Sequence, residues 1–153
     1  MNVYDRIKEL GYILPPAAPK GGIYKPVKQV GNLLYISGQG ATKEGKPAYS
    51  GHVGKELTVE EGQEAAKICA LNALSAIDEY LGDLNKVKGL VKILAFVASA
   101  SGFNSQPKVV DGASQLLKDI FGEDDGVGAR SAISTNELPG NIPVEIEFIF
   151  ELK

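Results

Sequence analysis

The sequence predicts an α+β domain: a mixed β-sheet with two main helices packed on one face. Three observations predict it. Thr58 followed by Glu61 forms a capping box ahead of a long stretch with helical apolar period. Pro107 and Gly122 bracket a second helical stretch as a first-turn proline and a C-terminal glycine. Near the end of the chain, Glu145, Glu147 and Glu151 are interleaved with Val144, Ile146, Phe148 and Phe150, the two-residue period of a strand with one covered face.

In chain order, Val3, Ile7 and Leu10 among charged residues suggest a short amphipathic helix ended by Gly11 and Pro15-Pro16, so that residues 1–20 read as a helix and extended cap rather than core. Residues 21–37 read as a β-hairpin around Gly31-Asn32. Gln39–Leu57, rich in Gly and Lys, reads as a long, mobile loop. The first long helix runs from Thr58 to about Tyr80, with Ala65, Cys69, Ala73, Ala76 and Tyr80 on one stripe and Gly82 as its stop. A strand follows over Leu90–Val97, behind Lys88 and Lys92, and then the helix from Pro107 to Phe121 and an acidic turn at Glu123-Asp124-Asp125. Arg130–Thr135 and Val144–Leu152 are the last strands. With no repeat or linker, residues 1–153 are expected to form one domain.

Composition removes several functions. A net charge of −3 with scattered Lys and Arg offers no field for phosphate, which disfavours nucleic-acid partners. The single cysteine cannot form an internal disulfide, the N-terminus lacks an apolar leader, and no apolar run reaches bilayer length, so a cytoplasmic protein without a membrane span is expected. Gly40–Lys46 reads G-x-x-x-x-G-K, but Pro47 stands where a P-loop needs a hydroxyl and no helix pattern follows. The G-x-G at Gly38 and Gly40 meets Lys43 where a dinucleotide fingerprint needs its third glycine. The lone His52 and distant Cys69 do not make a zinc site, and Cys69 falls on a helix stripe where a thiol packs as a small hydrophobe. No metal or cofactor is expected.

Polar residues at strand ends remain. Arg130 opens an otherwise apolar strand with no acidic residue near it there, and a guanidinium so placed can grip a carboxylate through two hydrogen bonds. An ion pair with Glu145 or Glu147 across the sheet is the structural alternative. Glu145, opposite in direction to Val144 and Ile146, can deprotonate a water if its face lines a cleft, or be an ordinary solvated strand residue.

At these residues the chain resembles the RidA/YjgF family of reactive-intermediate deaminases, known also as the L-PSP endoribonuclease family. Three segments carry the resemblance: Tyr24–Gln39 with G-N-x-x-x-x-S-G-Q at Gly31–Gln39, Gly128-Ala129-Arg130-Ser131, and Leu138-Pro139 leading to Val144-Glu145-Ile146-Glu147. Their order and spacing hold from about Gly22 to Leu152, and the combination is specific where each piece alone is weak. The resemblance implies a chorismate-mutase-like fold closed into a homotrimer with a cleft at each subunit interface. An uncovered sheet face would be buried there.

In that setting Arg130 would bind the substrate carboxylate and Glu145 would orient the attacking water, with Tyr24 and Ser37 supplying hydroxyls. Gly38, Gln39 and the backbone of Ala132 would line the cleft. The substrates would be enamines or imines derived from amino acids, such as 2-aminoacrylate, hydrolysed to a 2-oxo acid and ammonia without a cofactor. A non-catalytic protein that binds small carboxylates in the same cleft is the alternative, and an endoribonuclease or translation inhibitor ranks third. Ala132 stands where typical members often carry cysteine, and Asp111 or Ser114 replaces the polar and aromatic residues expected in that region.

Overall fold

The computed structural model describes residues 1–153. Its frame is a five-stranded sheet whose spatial order follows from two kinds of connection. Val27–Val30 (β1) and Leu33–Gly40 (β2) form the expected hairpin, turned at Gly31 with φ 59°. The hairpin begins only at Val27, because the segment before it bends and makes no ladder pairing. Thr42–Lys43 (β3) and Lys46–Pro47 (β4) make a small separate hairpin. Val59–Leu81 (α2), Val87–Ala98 (β5), Gln106–Gly126 (α3), Ala129–Thr135 (β6) and Val144–Leu152 (β7) complete the frame behind an N-terminal helix, Val3–Glu9 (α1). The large sheet runs β1-β2-β7-β5-β6; β5 and β6 are parallel through the α3 crossover, and the other neighbours are antiparallel.

Both long helices start where the sequence predicts, and α2 also stops there, for the predicted reasons. The Thr58 hydroxyl accepts from the Glu61 amide while the Glu61 carboxylate accepts from the Thr58 amide, and Gly82 closes α2 at φ 74°. α3 is interrupted at Gly122 (φ 89°, ψ 176°), but Glu123-Asp124-Asp125 then continue as a further helical turn instead of a loop. Leu74 and Ile77 of α2 and Leu117 and Ile120 of α3 bury against Leu34, Ile93, Ile146, Phe148 and Phe150 of the sheet. Tyr80, placed on the α2 stripe by its spacing, is exposed.

Two expectations are corrected. Residues 1–20 are not merely a cap: Val3 and Ile7 belong to the core, the Val3 amide donates to Asn85 Oδ1 at 2.9 Å, and Arg6 Nε donates to the Asp119 carbonyl at 2.7 Å. Residues 39–57 are pinned rather than mobile. Asn72 Nδ2 donates to the Gly40 and Thr42 carbonyls at 3.0 and 2.9 Å, and fully buried Val53 exchanges backbone bonds with Ala98 and Ala100 at 2.9 Å each. A buried Asn on the α2 stripe, invisible to an apolar-period reading, is what ties the loop down.

The face of the sheet away from the helices carries Tyr35, Leu94, Phe96, Ile133 and Ile149 beside Glu145 and Glu147, by the register of β2, β7, β5 and β6. No element of the chain covers it, and Tyr35 and Ile133 remain 43% and 47% exposed.

The helix pair has a backbone contact that sets its spacing. A Cβ at Gly112 of α3 would lie 2.2 Å from the Gln63 carbonyl oxygen of α2. Gly112→Ala therefore forces the helices apart and is expected to cost about 1–3 kcal/mol. Urea unfolding measures this; an unchanged midpoint would show that the contact does not set the spacing.

Candidate active site

Glu145 owes its position to an irregularity in β2. Ile36 pairs with Phe148 and Gln39 with Ile146, so Ser37 and Gly38 together face Glu147 alone, a β-bulge. At the bulge Gly38 leaves room for a carboxyl group: a Cβ there would stand 2.8 Å from Glu145 Oε2. Glu145 is half-buried, and burial first, then the charge of Glu147, push its pKa above the ordinary glutamate value.

The same bulge gathers the other residues of the S-G-Q motif. The Ser37 hydroxyl donates to the Lys25 carbonyl at 2.6 Å and its amide to the Pro26 carbonyl at 2.9 Å, which fastens the segment carrying Tyr24. Tyr24, whose hydroxyl accepts from the Gly21 amide at 3.0 Å, lines a cleft of about 140 Å³ with Gly38, Gln39, Lys20, Thr42 and Glu79. Gln39 Nε2 donates back to the Ser37 carbonyl at 3.1 Å. The structure thus brings Tyr24, Ser37, Gly38, Gln39 and Glu145 to one end of β2.

Arg130 sits elsewhere. On β6 it is level with Ile93, which is level with Phe148, and both of these are buried toward the helices. Arg130 therefore points to the helix side of the sheet edge, where its Nη1 donates to Asp111 Oδ1 at 2.8 Å and to Ser114 Oγ at 3.1 Å. Its ion-pair partner is the helix residue Asp111, not Glu145 or Glu147 across the sheet, because those two glutamates face the other way. A second cleft, about 200 Å³, opens beside this pair between Leu90, Ile93, Val127 and Arg130. Ala132, half-buried and level with Ala95, lies on the same side as Arg130.

Within one chain, then, the two charged candidates are apart. Two strand spacings and three residues separate them, roughly 14 Å in the plane of the sheet, and they project from opposite faces. The Asp111 and Ser114 partnership was not read from the sequence, although their i, i+3 spacing on α3 puts both on one helix face. Cys69 is fully buried, its Sγ donates to the Val144 carbonyl at 3.4 Å, and burial pushes its thiol well up. His52 Nε2 lies 2.6 Å from the Asn136 carbonyl and takes no part in either cleft. No cluster of His, Cys, Asp and Glu is disposed to hold a metal, and no helix is long and apolar enough to cross a membrane.

Residues 5–150 match the family described as "YjgF/chorismate_mutase-like, putative endoribonuclease". The chain belongs to the RidA/YjgF family. Among its YjgF relatives, Protein TCP17 of Trypanosoma cruzi is 39% identical over 99% of this chain and 94% of its own. A 2-iminobutanoate/2-iminopropanoate deaminase of Dermatophagoides farinae is 31% identical over 90% of this chain and 92% of its own. The crystal structure of Atu1372, a protein of unknown function from Agrobacterium tumefaciens, superposes with a TM-score of 0.91 at 41% identity, covering 99% of this chain and 92% of that one. The mixed sheet with its helices on one face is the YjgF/chorismate-mutase-like fold that the sequence predicts.

The raised pKa of Glu145 has a consequence for stability. A carboxyl that holds its proton more tightly folded than unfolded contributes stability below its unfolded pKa, and that contribution is lost as pH rises through the higher folded value. Glu145→Gln is therefore expected to raise Tm at pH 7, with the gain shrinking as the pH falls through the ordinary glutamate range. Thermal melts of both proteins across that range check it; a gain independent of pH would contradict the burial of the charge.

Proposed function

We propose that this RidA/YjgF protein hydrolyses enamines and imines derived from amino acids, 2-aminoacrylate among them, to a 2-oxo acid and ammonia. Glu145 carries the reading: a half-buried carboxyl beside the Gly38 bulge, with its proton affinity raised, is suited to take a proton from water and return it. A deaminase of this chemistry among the relatives supports the choice of reaction.

The imine form, 2-iminopropanoate, has an electrophilic C2. Water forms the new C–O bond there as Glu145 accepts one of its protons, which passes to the nitrogen to leave a carbinolamine. The carbinolamine hydroxyl then releases its proton toward nitrogen as the C–N bond breaks, so ammonia departs and the carbonyl forms. Arg130 holds the substrate carboxylate, and the Tyr24 and Ser37 hydroxyls border the water. Because the imine is already activated, positioning supplies much of the acceleration.

Since Arg130 and Glu145 project from opposite faces, one small substrate meets both only if a second copy supplies one of them. The uncovered apolar face with Tyr35, Phe96, Ile133 and Ile149 suits a closed homotrimer, its clefts lying where the β6 edge of one copy meets the β2 bulge of the next. A reducing cytosol suits the free thiol of Cys69. A carboxylate-binding protein without turnover is the second reading, favoured by one observation: the Arg130 grip is assembled within a single chain, while its union with Glu145 is not. RNA cleavage ranks below both, as the chain has one histidine and a net charge of −3.

The direct test is release of ammonia or 2-oxo acid from enzymatically generated 2-aminoacrylate. The wild type is expected to accelerate it, and Arg130→Ala to lower kcat/KM about 10- to 150-fold through loss of a charged hydrogen-bonding group. No acceleration by the folded, assembled wild type would move the assignment to the binding protein.

A further inference from the structure

A guanidinium has five N–H donors and two edges able to hold a carboxylate in parallel: the end-on edge of Nη1 and Nη2, and the side-on edge of Nε and Nη2. In Arg130, Nη1 donates both to Asp111 Oδ1 at 2.8 Å and to Ser114 Oγ at 3.1 Å, while neither Nε nor Nη2 donates to any group of the chain. A carboxylate bound end-on would have to share Nη1 with these two acceptors, whereas the side-on edge is left intact. Both anchors come from one face of α3, a helix packed on the sheet through Val110, Ala113 and Leu117.

We propose that Asp111 and Ser114 are the positioning residues of the carboxylate grip, and that the substrate carboxylate binds side-on to Nε and Nη2 of Arg130. The inference rests on the carboxylate-binding role proposed above for Arg130 and adds how that side chain is held and which edge it presents. Arginine is long and costly to immobilise, and at 27% side-chain exposure Arg130 is not fixed by burial alone. An anchored Nη1 restricts the fork to one orientation before a ligand arrives, so less freedom is lost on binding.

Simple charge counting predicts the opposite effect. Asp111, itself 59% exposed, neutralises Arg130 and would compete with any arriving carboxylate, so that its removal should tighten binding. Positioning predicts that its removal weakens binding. The sign of one measurement separates the two.

The experiment titrates the assembled protein with 2-oxobutanoate, a carboxylate with no imine to hydrolyse, and follows the Arg130 Nε–H resonance in nitrogen-proton NMR spectra. The wild-type resonance is expected to move downfield on saturation, as a side-on contact requires. Asp111→Ala is expected to bind about tenfold more weakly, Asp111→Asn, which keeps an acceptor for Nη1, close to wild type, and with imine substrate Asp111→Ala raises KM far more than it lowers kcat. Equal or tighter binding by Asp111→Ala would overturn the proposal, as would a wild-type Nε–H that does not respond to 2-oxobutanoate. If Asp111→Ala does not assemble, Ser114→Ala keeps the ion pair and removes one anchor; weaker binding supports the proposal and unchanged binding overturns it. Binding that depends on Asp111 in a protein that does not hydrolyse 2-aminoacrylate would refute the deaminase reading and leave this inference standing.

Discussion

A β-strand turns successive side chains to opposite faces of its sheet, and in this protein that alternation decides where polar chemistry can sit. β7 commits Val144, Ile146, Phe148 and Phe150 to the core beneath two helices, so Glu145 and Glu147 must face the other way. β6 lies parallel to β5 at the sheet edge, and its register with Ile93 sends Arg130 toward α3. Slipping β7 by one residue would turn Glu145 and Glu147 into the core, and slipping β6 would turn Arg130 away from α3, so the two directions are tied to the core packing.

Around that frame, two local devices prepare the charged groups. At the β2 bulge two residues occupy the space of one, and the missing side chain of Gly38 admits the Glu145 carboxyl into a half-buried setting that raises its pKa. At the sheet edge, α3 lends Asp111 and Ser114 to one nitrogen of Arg130. Cys69 stays in the core as a packing residue.

Much of this was legible in the sequence because it depends on local rules. The capping box at Thr58, the stop at Gly82 and the period-two alternation of β7 act through neighbouring residues, and the structure bears out all three. The S-G-Q and A-R-S segments located the ends of β2 and β6, though not the faces from which their side chains project. What sequence periodicity missed depends on contacts between residues far apart in the chain. By periodicity Asn72 is one polar residue on a helix, yet it holds Gly40 and Thr42 of the 39–57 segment; Asp111 lies 19 residues from Arg130 and meets it only through the α3 crossover. The core role of Val3 and Ile7 was missed for the same reason, since α1 docks on the remote residues Asn85 and Asp119.

On the proposed function, opposite faces of one sheet become a single site only when two copies meet. This is tested most directly by mixing two purified variants, Arg130→Ala and Glu145→Gln, each expected to be impaired alone, after dissociation and reassembly, and measuring 2-oxo acid release from 2-aminoacrylate. Shared clefts predict that activity returns in the mixture, because some clefts then combine an intact Arg130 from one copy with an intact Glu145 from another. A mixture no more active than its components, after exchange of subunits has been shown by mass, would contradict the account.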